Sequence, residues 1–159
     1  MTETKLSTGT VRLSRVIKAP AERIYNVFLD PDAFAKWIPP GGYTGKVHAM
    51  EPKVGGTYRM SFTSLDKKDH STFGGKYLEL VPFTKIRYTD VFETDNPEMI
   101  GEMVTTITLR KVSGGTEVKI EHTGIPKLIP AEMAKMGWQS SLQNLAALVE
   151  MPDIAGASR

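Results

Sequence analysis

Apolar and polar residues alternate along most of this chain, and the period of the alternation marks its elements. Thr10 to Lys18 reads as a strand, with Val11, Leu13 and Ile17 on one parity and Arg12 and Ser14 on the other; Arg15 interrupts the pattern. The period then lengthens. Ile24, Val27 and Phe28 stand at i, i+3 and i+4 after Pro20, which predicts a short helix. Asp30 followed by Pro31 predicts a second one, since Asp caps a helix and Pro fits its first position. Phe34, Trp37 and Ile38 repeat the helical spacing, and "PPGG" at 39–42 ends it.

Period two then returns for most of the chain. Strands are predicted at "YTGKVHAME", "TYRMSFT", "TFGGKYLELV", "KIRYTDVFE", "MIGEMVTTITLRKV" and "TEVKIEHT". Tyr58, Met60 and Phe62 share one face of their strand, as do Ile86, Tyr88, Asp90 and Phe92, and as do Val118, Ile120 and His122. Met103, Thr105, Ile107 and Leu109 are in phase, with Glu102 out of phase and expected in solvent. Gly74 and Gly75 inside a strand predict a bulge or a bend. "SGG" at 113–115 predicts a hairpin turn. A long helix closes the chain after Pro130. Trp138, Leu142, Leu145 and Val149 define one face, with Ala134 a turn earlier and Ser141 and Ala146 beside it.

Strand, two short helices, a run of strands and one long helix predict an α+β protein with an antiparallel sheet. The single domain is placed at 10–150, with flexible tails at 1–9 and 151–159. A long twisted sheet curls around the one helix available to cover it, and the two cannot touch along their whole length. A space between them follows, of the ~300–1,000 Å³ typical of small-molecule sites.

Composition narrows the function. Twenty basic and eighteen acidic residues give a net charge of +2, with no long basic run, so nucleic acid is not an expected partner. No stretch has the apolar length of a membrane span and no signal peptide opens the chain. The chain has no cysteine, which excludes disulfides and thiol chemistry. A cytoplasmic protein is expected. His48, His70 and His122 lie on different elements without metal-ligand spacing, so neither a metal nor a cofactor is expected. No nucleophile motif occurs, and no residue is assigned as catalytic.

His122 is the residue of most interest. Its parity turns it inward, and Asp90 shares an inward parity on another strand; three readings fit, a buried His satisfied by a backbone carbonyl or water, a polar ligand contact, and a general base. Residues expected to line the cavity are Trp37, Met60, Phe62, Tyr77, Tyr88, Asp90, Met103, His122, Trp138 and Leu142. Gly137 costs the last helix roughly 1 kcal/mol relative to Ala, and close approach to the sheet or to a ligand is the expected reason.

Ala19–Pro20, "DPDAFAKWIPP", "VGGTYRMSF", "GKYLELVP", "EHTGIP" and "GWQSSLQNLAALVE", in that order, resemble the START-like helix-grip superfamily (SRPBCC). The branch they are most similar to is that of the activator of Hsp90 ATPase homologue-like proteins. The resemblance covers about Thr10 to Glu150. It implies a helix-grip fold, a curved antiparallel sheet of about seven strands around the C-terminal helix and a cavity. It carries no fixed catalytic residues. Members of the superfamily include lipid and hormone carriers, polyketide cyclases and co-chaperones. The co-chaperone that names the branch has an additional N-terminal domain for chaperone contact, without a counterpart in the matched stretch. Three readings result. The first is a binding protein for a small apolar or amphipathic molecule. The second is an enzyme of cyclase, dehydratase or hydrolase type using His122. The third is a co-chaperone-like module in contact with a chaperone. Either a monomer or a homodimer fits all three.

Overall fold

The computed structural model describes residues 9–150. The elements in chain order are β1 (Gly9–Ile17), α1 (Ala21–Phe28), α2 (Pro31–Trp37), β2 (Tyr43–Met50), β3 (Thr57–Ser64), β4 (His70–Val81), β5 (Lys85–Phe92), β6 (Met103–Val112), β7 (Gly115–Ile125) and α3 (Ala131–Val149). The strands form one curved antiparallel sheet in the order β1-β7-β6-β5-β4-β3-β2. Only β1 is displaced from chain order, because α1 and α2 lie between it and the meander β2–β7 and carry the chain across to the opposite edge. Gly9, expected in a tail, opens β1. The remaining residues of both expected tails lie outside the described residues.

The caps explain where the short helices begin. Asp30 Oδ1 accepts from the backbone N–H groups of Asp32 and Ala33 at 3.0 and 3.3 Å. Pro20 stands at the N-cap of α1 and contributes no side-chain bond. The buried stripe of α1 is Ile24, Tyr25 and Phe28, so Tyr25 replaces the expected Val27. The strand expected from Met99 starts at Met103 instead. Asn96 forms a turn there, with Glu98 N–H donating to its Oδ1 at 2.9 Å, and this local bond competes with a ladder. Glu102 is exposed, as its phase predicts.

Trp37, Phe28, Met60, Ile107, Val118 and Leu145 are among the side chains sealed in the main core. The core lies between the concave sheet face, α1, α2 and the second half of α3. Trp37 wedges α2 against α1: its Nε1–H donates to Val27 O at 2.9 Å, and its ring meets Phe28 and Phe34 edge-on. Among the described residues no helix is long and apolar enough to cross a membrane.

Gly75 lies inside β4 where the strand comes close to β5. A Cβ there would overlap the Thr89 backbone carbonyl on β5. The register shift itself falls later, between Tyr77 and Glu79. The glycine pair is therefore a close approach of strands, and the bulge lies beyond it. Gly75→Ala should lower stability by about 3 kcal/mol, the upper range for overpacking. Urea unfolding of the variant against wild type measures this, and an unchanged midpoint would contradict it.

Candidate ligand-binding cavity

The second half of α3 is held against the sheet by Leu142, Leu145, Ala146 and Val149, all buried. Its first half touches the sheet where Ala134 and Trp138 pack against Val11, Met103 and Ile125, and beside that contact a cavity of about 420 Å³ opens between helix and sheet. One wall is a row of aromatic rings across four strands: Tyr43 on β2, Phe62 on β3, Phe73 on β4 and Phe92 on β5. Successive ring centroids are 6.5, 4.9 and 6.1 Å apart. The helix side is made by Ala134, Gly137, Trp138 and Ser141. Met133 lines the cavity while 64% exposed, which puts it at the mouth.

The walls are mostly apolar, and the polar groups collect in one corner. Trp138 Nε1–H donates to His122 Nδ1 at 3.0 Å, tying α3 to β7. An accepting Nδ1 fixes the neutral tautomer with its proton on Nε2. Nε2 is buried and has no hydrogen-bond partner among the described residues. The nearest carboxylate oxygen, Asp90 Oδ2, is 3.9 Å away, beyond hydrogen-bond range. Asp90 itself accepts from the Tyr58 hydroxyl and from Thr105 Oγ1.

Burial without a charged partner pushes Asp90 up to about 7, against a smaller opposing effect of the Thr105 bond. Burial also lowers His122 to about 4. At neutral pH, then, His122 carries no charge and the 3.9 Å approach is not an ion pair. Among the described residues no group of three or more acidic or histidine side chains could hold a metal ion. His48 and His70 bond to Ser61 and Thr63, apart from this corner.

Of the residues expected at the cavity, Phe62, Tyr88, Asp90, Met103, His122 and Trp138 line it. Trp37, Met60, Tyr77 and Leu142 do not. Trp37 is locked between α1 and α2. Met60 and Leu142 are sealed in the main core, Leu142 because one helical turn beyond Trp138 already reaches the sheet. Tyr77 is buried in the main core beside a packing gap too small for water. The expected lining left out Tyr43, Tyr58, Phe73 and Phe92, all of which border the cavity. Phe92 shares the parity of Tyr88 and Asp90, and extending that rule would have found it.

A curved sheet gripping a C-terminal helix over a cavity defines the helix-grip class. The match is specific: the family described as Activator of Hsp90 ATPase homolog 1-like protein covers residues 18–150, and this chain belongs to it. A crystallised protein from Chromobacterium violaceum is 50% identical, with a TM-score of 0.84 over 91% of this chain and 99% of that one. An AHSA1-like protein from Aeromonas hydrophila is 19% identical, with a TM-score of 0.70 over 89% and 92%. A protein from Arthrobacter aurescens is 18% identical, with a TM-score of 0.79 over 94% and 89%. The last two likenesses concern the fold. No curated protein matches the chain.

The corner makes opposed contributions to stability. Asp90 has a raised folded pKa, so the folded state binds the extra proton and stability falls as pH rises from about 4 to 7. His122 has a lowered one, so stability is lost as pH falls from 6.5 to about 4. The two act in opposite directions over this range. Relative to wild type, Asp90→Asn should gain stability with rising pH from 4 to 7. His122→Asn should lose its relative stability from 4 to 6.5. Urea midpoints across this range measure both, and parallel profiles would contradict the assignment.

Proposed function

We propose that the protein binds a small, largely apolar molecule in this cavity and performs no chemistry on it. The observation that carries the reading is a 420 Å³ apolar space with one buried, unpaired donor, His122 Nε2–H, in its polar corner. An unpaired buried donor costs free energy, and an acceptor on a ligand removes that cost. The same geometry argues against His122 as a base. Nδ1 is occupied by the Trp138 donor and Nε2 carries the proton, so no lone pair is free to take another.

The family name and the exposed Leu128, Met133 and Met136 support the co-chaperone reading. Met133 belongs to the cavity mouth, so exposure there already has an explanation in ligand entry. A cytoplasmic location, as monomer or homodimer, remains part of the proposal, supported by the lack of cysteine.

Prodan, an uncharged naphthalene with a ketone, tests the reading by fluorescence titration. Saturable binding with a blue-shifted emission is expected. His122→Phe, which removes the Nε2 donor together with the Nδ1 acceptor of Trp138, should weaken it at least about tenfold, the effect of roughly one hydrogen bond or more. Emission that stays water-like at saturating protein would overturn the reading.

A further inference from the structure

Gly137 is the residue of α3 that the fold leaves unexplained. Glycine inside a helix gives up stability relative to alanine. A positive φ or a close backbone approach ordinarily accounts for it. Neither holds here. Residue 137 lies in the interior of a regular helix, and a Cβ built on it meets nothing within 4 Å. The expected close approach to the sheet is therefore overturned. Gly75 shows the contrast, since its Cβ would overlap backbone.

The space that a side chain at 137 would enter is the cavity, which Gly137 lines. Ala134, three residues before it, and Ser141, four after it, also line the cavity and are also small. Across the cavity stand the rings of Phe62, Phe73 and Phe92. A small-residue helix face opposite an aromatic row leaves a space suited to a ring system that stacks on one side and rests on bare backbone on the other. The polar corner selects the other end of the ligand. An anion would meet the Asp90 carboxyl, 3.9 Å from His122 Nε2, and Asp90 already accepts from Tyr58 and Thr105. A neutral hydrogen-bond acceptor, such as a ketone or ester carbonyl, suits the unpaired Nε2–H.

We infer that Gly137 is a specificity position: its missing side chain admits the ring system of an uncharged ligand that lies along Phe62, Phe73 and Phe92 and turns a carbonyl-type acceptor to His122. The inference rests on the ligand-binding reading above and deepens it.

Four proteins test it: wild type, Gly137→Ala, Gly137→Leu and Gln139→Leu, the last at an exposed position of α3 away from the cavity. Each is titrated with prodan by fluorescence, and with acetophenone, a ketone with one ring fewer, by calorimetry. Thermal unfolding is recorded alongside. Gly137→Ala should raise Tm by about 2–4 °C, since a helix glycine is removed where nothing obstructs Cβ. Gly137→Leu should keep at least the wild-type Tm, bind prodan at least tenfold more weakly and lose less than threefold for acetophenone. Gln139→Leu should bind both probes like wild type. Wild-type prodan affinity in Gly137→Leu would overturn the inference and leave the ligand-binding reading standing. A clear drop in its Tm, or equal loss of both probes, would also overturn it, because the space would then not be free or not be selective. Wild type that leaves prodan emission water-like overturns the ligand-binding reading and this inference with it.

Discussion

One helix has to cover one curved sheet, and a straight rod meets a curved surface along only part of its length. In this protein α3 meets the sheet through Leu142, Leu145 and Val149 and departs from it toward its N-terminus. The departure is bridged by Trp138, whose Nε1–H donates to His122 Nδ1 and which packs with Ala134 against Val11, Met103 and Ile125. Ser141, whose Oγ–H donates to Ile38 O, and Asn144, which donates to Pro39 O, fasten the helix to the loop after α2. The cavity is what lies above these anchors. Its shape follows from the helix's inability to follow the sheet, and its polarity follows from the bond that spans the gap.

That bond has consequences one step removed. Because His122 accepts at Nδ1, it presents a donor at Nε2, and none of the described residues pairs with it. Asp90 stands too far to accept in good geometry and is held by Tyr58 and Thr105 instead. A buried carboxylate without a cation and a buried donor without an acceptor are both unfavourable. Local consistency between sequence and fold usually breaks where a function requires it. Here the breaks coincide in space: the unpaired donor, the uncompensated acid and the unexplained helix glycine all border the same 420 Å³.

The architecture was legible because period two and period 3.6 separate cleanly in this chain, and because Asp30–Pro31 and Ser113–Gly115 punctuate it. The inward parity of Asp90 and His122 and the position of Trp138 on its helix were enough to bring them to one site. Parity could not tell core from cavity. Met60 and Phe62 share a face, yet one is sealed and the other borders the void. Leu142 and Trp138 share a helical stripe, and only the divergence of helix and sheet separates their fates. The aromatic row across β2 to β5 depends on cross-strand register, which periodicity within a strand does not contain. The start of β6 was misread because the side-chain bond of Asn96 outweighs the apolar run after it.

The two tryptophans provide the most direct measurement. Both indole N–H groups are hydrogen-bonded, Trp37 to Val27 O in the core and Trp138 to His122 Nδ1 at the cavity. Their ¹H–¹⁵N signals can be followed while an uncharged apolar ligand such as prodan is added. The account predicts that the Trp138 signal moves and saturates with the ligand while the Trp37 signal stays in place. Saturating binding that leaves Trp138 unmoved, or that moves Trp37 instead, would contradict it.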